Sequence, residues 1–358
     1  MEQILSHFSL LGAPTRCRGL GEGHVNRTFC VETDIGRRYV LQRISREAFH
    51  DIPGLMENIS AITHYIAARV QDPRGCLHLV PTVEGRDYHV DQMGEYWRVY
   101  HYVEDSICLQ KAERPEDFYQ SAVAFGQFQS QLRDFPAATL HETIHNFHNT
   151  PDRYRIFRKA LARNPLGRAR NAAQEIEFAL SHEKEAGTLL QQLEAGELPL
   201  RVTHNDTKLN NVMLDARTRE ALCVIDLDTV MPGLTAYDFG DSIRFGASTA
   251  AEDETDLSRV EVDLNLYRCF VRGFLSACGE LSAAEMASLP MGAKLMTLEC
   301  GVRFLTDYLL GDRYFSVSRP EHNLDRARTQ FRLVADTEQK WGRIQRILRE
   351  EAPLQKPC

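Results

Sequence analysis

The sequence is short of the features that mark membrane, disulfide-linked and nucleic-acid-binding proteins. No apolar run approaches the roughly 18 residues that cross a membrane, so we expect no membrane partner. The nine cysteines include no C-x-x-C pair, which favours reduced thiols over a disulfide framework. Acidic side chains outnumber basic ones by 50 to 42, which argues against a nucleic-acid partner. The first residues lack the basic segment of a secretory signal, and we therefore expect a cytoplasmic protein.

The 358 residues are enough for two domains or two lobes. Residues 1–103 predict strands with a helix between them, whereas the chain beyond Glu104 predicts mainly helices. In this second part, apolar residues recur at helical spacing over 118–132, 171–195, 257–278 and 291–310, and a last helical stretch, about 325–350, is charged on most sides. We therefore expect an α+β protein with an N-terminal nucleotide-binding lobe, 1–103, and a C-terminal catalytic and substrate-binding lobe, 104–358.

The most informative segment lies between residues 204 and 228. It begins with His204-Asn205-Asp206-Thr207-Lys208-Leu209-Asn210-Asn211 and ends with Ile225-Asp226-Leu227-Asp228. Two apolar runs between these stretches flank a polar turn, which predicts a β-hairpin. In an antiparallel hairpin, the residue before the first strand lies beside the residue after the second. Asn211 and Asp226 are therefore expected to be neighbours, with Asp206 on the loop that enters the hairpin.

These residue types suit phosphoryl transfer. The amide oxygen of Asn211 and the carboxylate of Asp226 are ligands of the kind that Mg²⁺ prefers. A free carboxylate at Asp206 suits the base that orients an attacking hydroxyl, and Lys208 is placed to reach the transferring phosphate. The spacing H-x-D-x-K-x-x-N matches the catalytic-loop signature of kinases, but Ile-Asp-Leu-Asp in place of Asp-Phe-Gly points away from protein kinases. A purely structural turn rich in Asn and Asp is the alternative.

Three N-terminal features are candidates for binding a nucleotide. Gly21 and Gly23 belong to a G-x-G-x-G turn that would bring backbone N–H groups close to phosphates, and the absence of G-K-[ST] excludes a Walker motif. The strand 40–44 has no lysine where kinases carry one, so Arg43 is the candidate cation and Glu57 its ion partner. The backbone of His101-Tyr102-Val103 could bind an adenine edge. The alternative interpretation is an exposed strand arginine for Arg43, a solvated helix face for Glu57, and an ordinary interior strand for residues 101–103.

Polar residues of two further C-terminal segments have structural or functional interpretations. Glu299, Arg303 and Asp307 follow one another at i, i+4 steps, which favours an ion stripe along the helix. Arg303 and Asp307 as contacts of a polar substrate are the alternative. Asp238 is expected to brace the catalytic loop by hydrogen bonds, and Asp241 to do the same or to face the substrate.

The sequence resembles the aminoglycoside phosphotransferase/choline kinase superfamily, which has a protein-kinase-like bilobal fold. The resemblance lies in the order of the Gly-rich hairpin, the helix with Glu57, the His204-Asn205-Asp206 loop and Ile225-Asp226. Several stretches are most similar to N-acetylhexosamine 1-kinases. They are Gly23-His24-Val25-Asn26-Arg27-Thr28, Tyr96-Trp97-Arg98-Val99-Tyr100, residues 203–214, residues 224–233, and Arg303-Phe304-Leu305-Thr306-Asp307-Tyr308.

This resemblance implies phosphorylation of the anomeric hydroxyl of N-acetylglucosamine or N-acetylgalactosamine, with ATP as donor and Mg²⁺ as cofactor. It makes Asp206 the catalytic base, Asn211 and Asp226 the metal ligands, and Asp228 a further metal contact. Sugar contacts are then expected from His24, Asp206, Arg303 and Asp307.

Two other functions stay open at this point. The same chemistry could act on an aminoglycoside, choline, homoserine or a methylthiopentose. A cationic acceptor would need an acidic pocket, which the carboxylates clustered at 252–263 could provide. A nucleotide-binding module without activity is the second alternative, because the lysine is missing, but the intact set of Asp206, Asn211 and Asp226 argues against it. The sequence indicates no oligomeric state.

Overall fold

An antiparallel sheet forms the N-terminal part of the protein, in a computed structural model that describes residues 1–21 and 25–352. The five strands have the order β1-β2-β3-β5-β4. They are β1 (Pro14–Gly19), β2 (Arg27–Thr33), β3 (Arg38–Ile44), β4 (His89–Val90) and β5 (Tyr96–His101). The predicted hairpin of β2 and β3 turns at Gly36, whose φ of +78° favours a residue without a side chain.

The two faces of this sheet pack against different parts of the protein, because alternate residues of a strand point to opposite faces. Leu41 of β3 and Val99 of β5 pack with residues of the short helix α1 (Glu2–Leu5). Ile44 and Tyr100 pack instead against α2 (Ile52–Ala67). The face that carries Ile44 and Tyr100 is therefore the one turned toward the rest of the protein.

Helices dominate the chain beyond β5. They are α3 (Pro115–Gln131), α4 (Thr150–Arg163), α5 (Ala173–His182), α6 (Thr188–Glu194), α7 (Thr235–Gly246), α8 (Leu264–Ala277), α9 (Ala283–Leu310), α10 (His322–Gln339) and α11 (Trp341–Glu351). The predicted helix 257–278 begins only at Leu264, because the Asp263 side chain caps that end. The predicted helix 325–350 is two helices that meet at Lys340, and a short 3₁₀ turn interrupts 171–195.

Short strands lie among these helices. The predicted hairpin is formed by β8 (Val212–Asp215) and β9 (Ala221–Val224), with Val212 opposite Val224, and β6 (Ser106–Cys108) pairs with the other edge of β8. A second pair, β7 (Arg201–Thr203) and β10 (Met231–Gly233), leads the chain into the loop before the hairpin. The register leaves residues 211 and 225 side by side at the open end of the hairpin.

Two large hydrophobic cores stabilise this arrangement, in addition to the smaller one between α1 and the outer face of the sheet. The first contains Ile59 of α2, Phe125 of α3, Val212 of β8 and Phe274 of α8, so the inner face of the sheet and the hairpin share one core. The second surrounds α9 and includes Val302. A small sheet-bearing lobe followed by a larger helical lobe confirms the predicted α+β, kinase-like class. The assignment of 1–103 and 104–358 to separate tasks stays a prediction. Within residues 1–21 and 25–352, no helix combines the length and apolarity needed to span a bilayer.

We expect Gly240→Ala to destabilise the protein by about 2 kcal/mol or more. A β-carbon at Gly240 of α7 would lie 2.3 Å from the carbonyl oxygen of Gly292 on α9, so the two helices would have to separate. Gly342→Ala in α11 is the control, because nothing lies within 4 Å of its β-carbon. Urea unfolding monitored by circular dichroism should place the control at or slightly above the wild type. Equal stability of the two variants would contradict the packing argument.

Candidate active site

A buried carboxylate shapes the loop that follows β7. Asp238 of α7 accepts the backbone N–H groups of His204 at 2.9 Å and Asn205 at 2.8 Å, and a side-chain N–H of Gln129 at 2.6 Å. Asn205 has a φ of +64°, a left-handed conformation that asparagine adopts more readily than most residues. The predicted bracing role of Asp238 is confirmed, since it fixes the backbone immediately before Asp206.

Asp241, one turn further along α7, holds the next part of the loop. It accepts the backbone N–H of Thr207 at 3.0 Å and pairs with Arg244 at 2.8 Å. Burial acts to raise the pKa of Asp241, but the charges of Arg244 and Lys208 outweigh burial and lower that pKa. Asp241 is therefore a charged anchor, and the bracing alternative predicted for it is confirmed.

His204 connects this loop to the end of the hairpin. The imidazole is fully buried beside Phe125 and Phe128, and its Nε2 lies 2.8 Å from the carbonyl oxygen of Ile225. Because a carbonyl only accepts, Nε2 carries the proton. The N–H of Ile225 donates in turn to the backbone oxygen of Asn211 at 2.8 Å. Backbone hydrogen bonds thus hold Asn211 beside the residue that precedes Asp226, as the hairpin pattern predicted.

Asp206, Lys208 and Asn211 contact one another directly. Lys208 Nζ lies 2.7 Å from Asp206 Oδ1, and Asn211 Nδ2 donates to Asp206 Oδ2 at 3.0 Å and to its backbone oxygen at 2.8 Å. Because the amide nitrogen faces Asp206, the amide oxygen of Asn211 is directed away from it. Burial acts to lower the pKa of Lys208, but Asp206 and Asp241 outweigh it and raise that pKa, so the ammonium group is charged.

Asp226 completes the group at the open end of the hairpin. Its φ of +60° is uncommon for a residue other than glycine and marks a constrained position. Loss of hydration where the protein surrounds the carboxyl group, and then the negative charges of Asp228 and Asp206, raise the pKa of Asp226 to about 6. The side chain still has an open path to solvent. A carboxylate that is crowded by like charges and reachable from solvent is suited to binding a cation.

Asp228, predicted as a further metal contact, has both carboxylate oxygens engaged. Arg98 Nη1 donates to Oδ1 and Asn26 Nδ2 donates to Oδ2, and Asp228 is only 3% exposed. Its role as a metal ligand stays a prediction. In the structure it links the segment after β9 to the N-terminal sheet.

The structure separates Arg43 from Glu57, so the predicted ion pair between them is wrong. Arg43 lies two residues after Leu41 and shares its sheet face, which is turned away from α2, and its Nη1 lies 3.8 Å from Glu95 Oε1. The Glu57 side chain is 70% exposed and lies 2.7 Å from Nε2 of His141. The alternation of side chains along β3 is the physical reason for the correction.

The Gly-rich turn is described only in part. Gly21 has a φ of +73°, and no atom of residues 1–21 and 25–352 lies within 4 Å of where its β-carbon would be, which favours close approach of another molecule to the backbone. Gly23 and His24 lie outside the described residues. The phosphate and sugar contacts predicted for this turn therefore stay predictions.

The backbone after β5 offers one candidate group for a base edge. The N–H groups of His101 and Tyr102 donate to the backbone oxygens of His78 at 2.9 Å and Arg38 at 3.2 Å. The N–H of Val103 has no partner within residues 1–21 and 25–352. Of the three residues predicted here, only Val103 therefore keeps a free donor, and adenine binding stays a prediction.

The ion stripe predicted along α9 is not formed. Glu299 instead accepts hydrogen bonds from Thr150 at 2.7 Å and His148 at 3.0 Å. The Asp307 carboxylate accepts the backbone N–H groups of the loop after α9, at 2.8 to 2.9 Å from residues 313–315. Both oxygens of the Asp307 carboxylate therefore bind the backbone of this loop. The expectation that Asp307 faces a substrate is corrected accordingly.

Arg303 and Arg153 make no ion pair within the described residues and lie near the buried carboxylate of Glu299, beside the loop that carries Asp206. The Arg303 guanidinium lies 5.5 to 5.9 Å from the centres of three aromatic rings and pairs with no carboxylate in the described part of the chain. Burial, and then the charge of Arg303, lower the pKa of Arg153, whose Nε is buried without a partner. His148 connects this area to the loop, since its Nε2 lies 3.4 Å from the Asn205 carbonyl oxygen. No sequence spacing could have linked residues 148–153 to 204–206.

The sequence also contains His141-Glu142-Thr143-Ile144-His145, the H-E-x-x-H spacing of zinc proteases. That motif binds zinc from a helix, where both histidines share one face. Here the segment is a loop, and each histidine lies beside a different carboxylate, His141 beside Glu57 and His145 beside Glu142. The fold therefore gives this motif no metal-binding geometry.

A kinase-like fold with acidic and amide groups gathered at the end of a hairpin suits phosphoryl transfer. Residues 16–269 match the family model described as "Phosphotransferase enzyme family", and the protein belongs to that family. This confirms the predicted superfamily. The N-acetylhexosamine branch is a narrower assignment than this family. The helix α9, which carries Arg303, lies beyond the matched segment.

Solved structures with the same fold include kinases of several acceptors. A microcompartment-associated aminopropanol kinase has a TM-score of 0.66 and 19% identity, over 96% of this chain and 97% of the other. A spectinomycin phosphotransferase has a TM-score of 0.61 and 13% identity, over 94% and 97%. An ethanolamine kinase from Plasmodium vivax has a TM-score of 0.54 and 13% identity, over 88% and 82%. At these identities the likeness is one of fold.

We expect Asp226→Asn to stabilise the metal-free protein at alkaline pH. The pKa of Asp226 is about 6 in the folded chain against a usual 3.8, so the unfolded chain loses this proton first. The cost to folding therefore grows as the pH rises from 3.8 and is complete only above about 6. Thermal unfolding in EDTA should therefore show a larger gain in Tm over the wild type at pH 8 than at pH 5. Glu220→Gln, at the exposed turn of the same hairpin, is the control. An equal gain at both pH values would count against the raised pKa.

Proposed function

We propose that the protein transfers the γ-phosphoryl group of ATP to the anomeric hydroxyl of an N-acetylhexosamine, which yields the sugar 1-phosphate and ADP. The observation that carries this proposal is the gathering of Asp206, Lys208, Asn211 and Asp226 at the open end of one hairpin. These are the residue types that phosphoryl transfer needs: a base, a cation and oxygen ligands for a metal. Membership of the phosphotransferase enzyme family supports the reaction type.

Asp206 accepts the proton of the sugar hydroxyl as that oxygen bonds to phosphorus and the bond from phosphorus to the β-phosphate oxygen breaks. The hydrogen bond from Asn211 and the contact with Lys208 support one orientation of the carboxylate, which a positioned base requires. Lys208 supplies positive charge near the transferring phosphoryl group. Asp238 and Asp241 act indirectly, because they hold the backbone on either side of Asp206.

Asn211 and Asp226 would hold Mg²⁺. The fit rests on two features: the amide oxygen of Asn211 is turned away from Asp206, and the Asp226 carboxylate is crowded by like charges that a cation would offset. When bound, the ion neutralises charge on the β- and γ-phosphate oxygens. The nucleotide would lie between the sheet and the hairpin, with the turn at Gly21 toward its phosphates and the Val103 N–H toward its base. This assigns residues 1–103 to the nucleotide and the remainder to catalysis and the acceptor.

The charges beside the catalytic loop favour a neutral acceptor over a cationic one. Arg303 and Arg153 would repel the ammonium group of an aminoglycoside or an amino alcohol, whereas the carbonyl and hydroxyl groups of an N-acetylhexosamine can accept from guanidinium donors. Half of the carboxylates in the acidic cluster at 252–263 pair with arginines, and Asp256 and Asp263 accept backbone N–H groups. These pairs are Glu252–Arg244, Glu254–Arg259 and Asp253–Arg319. Amino-alcohol and aminoglycoside acceptors are therefore the second candidates, supported by the fold likeness alone.

We expect Asp206→Asn to lower kcat by a factor on the order of 10² to 10⁴ without unfolding the protein. The amide keeps the shape of the side chain but cannot accept the hydroxyl proton. Coupled ADP-release assays measure kcat, and the thermal midpoint reports folding. Glu220→Gln exchanges a carboxylate for an amide at the other end of the same hairpin and should leave kcat unchanged. A folded Asp206→Asn variant with nearly normal kcat would remove the base from the proposal.

An acceptor panel separates the sugar kinase from its alternatives. We expect ADP release with N-acetylglucosamine or N-acetylgalactosamine, and none above background with kanamycin, choline, ethanolamine or homoserine. Arg303→Gln should raise the KM for the sugar by roughly tenfold, since each lost charged hydrogen bond costs about 1.5 kcal/mol or more, and should leave the KM for ATP unchanged. Turnover confined to a cationic acceptor would overturn the sugar assignment and leave the phosphotransferase intact.

A further inference from the structure

A buried cation projects toward the hairpin, but from β5 and not from β3. Gln42 shares the inner sheet face with Ile44, and the antiparallel register places Gln42 directly opposite Arg98. Gln42 Oε1 accepts the Nε–H of Arg98 at 2.9 Å. Glutamine thus stands on the inner face of β3 near the place expected for a lysine, and it orients an arginine from the neighbouring strand.

The carboxylate partner of this cation also comes from an unexpected element. Arg98 is 1% exposed, and its Nη1 lies 2.5 Å from Asp228 Oδ1. The residue of α2 that touches the guanidinium is Met56, with its sulfur 3.9 Å from Nη1, whereas the adjacent Glu57 points to the surface. The charge of Arg98 is therefore balanced by the segment that follows the hairpin, and α2 contributes the uncharged sulfur of Met56 as an acceptor.

A second bond fastens the same carboxylate to the start of β2. Asn26 Nδ2 donates to Asp228 Oδ2, while Asn26 Oδ1 accepts the backbone N–H of Ser45 at 3.0 Å. Asp228 is thus tied to β5 through Arg98 and to the ends of β2 and β3 through Asn26. Because Asp228 lies two residues after Asp226, these bonds restrict the backbone next to the proposed metal ligand.

We propose that Arg98 is a positioning residue of the metal–nucleotide site, and this inference rests on the proposed function. By holding Asp228 against the sheet, Arg98 sets the direction in which Asp226 presents its carboxylate to Mg²⁺–nucleotide. The arginine–aspartate pair then takes the place of the lysine–glutamate pair expected from the kinase pattern, with members supplied by β5 and by the segment after β9. Its cationic member acts through Asp228 without contacting the phosphates.

The test measures how strongly Mg²⁺ tightens the binding of ADP. Isothermal titration calorimetry with ADP, in Mg²⁺ and in EDTA, gives this gain for the wild type, Arg98→Met, Arg98→Lys and the double variant Arg98→Met/Asp228→Asn. Arg98→Met should lose at least tenfold of the gain while its affinity in EDTA changes less than threefold. Arg98→Lys keeps the charge but not the forked donor geometry, so it should recover part of the gain. In ADP-release assays, Arg98→Met should lower kcat/KM for ATP and leave the acceptor KM unchanged.

The remaining variants separate positioning from general loss of stability. The double variant leaves no buried charge without a partner, so it should regain most of the thermal midpoint but not the Mg²⁺ gain, and it carries the test if Arg98→Met does not fold. Arg219→Met breaks a pair with buried Asp117 at the far turn of the hairpin, and it should lower the midpoint and keep the gain. A folded Arg98→Met or double variant with the full gain would refute the positioning role. Absence of any ADP binding by the wild type would instead refute the proposed function.

Discussion

Two backbone N–H groups of an irregular loop donate to one buried carboxylate, that of Asp238, and the geometry of the candidate active site depends on this pair of bonds. Buried N–H groups outside helices and sheets need an acceptor, and Asp238 supplies it at the point where Asn205 adopts its left-handed turn. The turn is what presents Asp206 at the hairpin. Asp238 in turn depends on the place of α7, which the close contact of Gly240 with α9 secures.

Charge compensation distinguishes the carboxylates around the hairpin. Asp206 contacts Lys208, Asp228 contacts Arg98 and Asp241 contacts Arg244. Asp226 has no cation in contact within the described residues, and its raised pKa reflects burial and the repulsion of its neighbours. Asp206, Asp228 and Asp241 are thus each balanced by a basic residue of the protein, whereas the negative charge of Asp226 is left for a ligand.

The hairpin and the neighbours at its open end could be predicted because the two strands are adjacent in the chain, and a hairpin pattern determines which residues meet. The Arg98–Asp228 pair could not, since it joins residues 130 positions apart and depends on the register of β3 and β5. A lone arginine in the apolar stretch Trp97-Arg98-Val99 was the available signal. The predicted ion pair of Arg43 with Glu57 failed because side chains alternate along β3 and Arg43 lies on the outer face of the sheet. The stripe on α9 failed because Glu299 and Asp307 found tertiary partners that helical spacing does not reveal.

The two hydrophobic cores have a consequence for how such a protein changes over evolutionary time. The hairpin strands belong to the core that also contains α2 and the inner sheet face, whereas the middle of α9, on either side of Arg303, belongs to the other. Substitutions around Arg303, in the half of α9 that lies beyond its contact with Gly240, therefore leave the packing beneath the hairpin largely untouched. A change of acceptor can therefore be selected through residues around Arg303 while the residues at the hairpin stay the same.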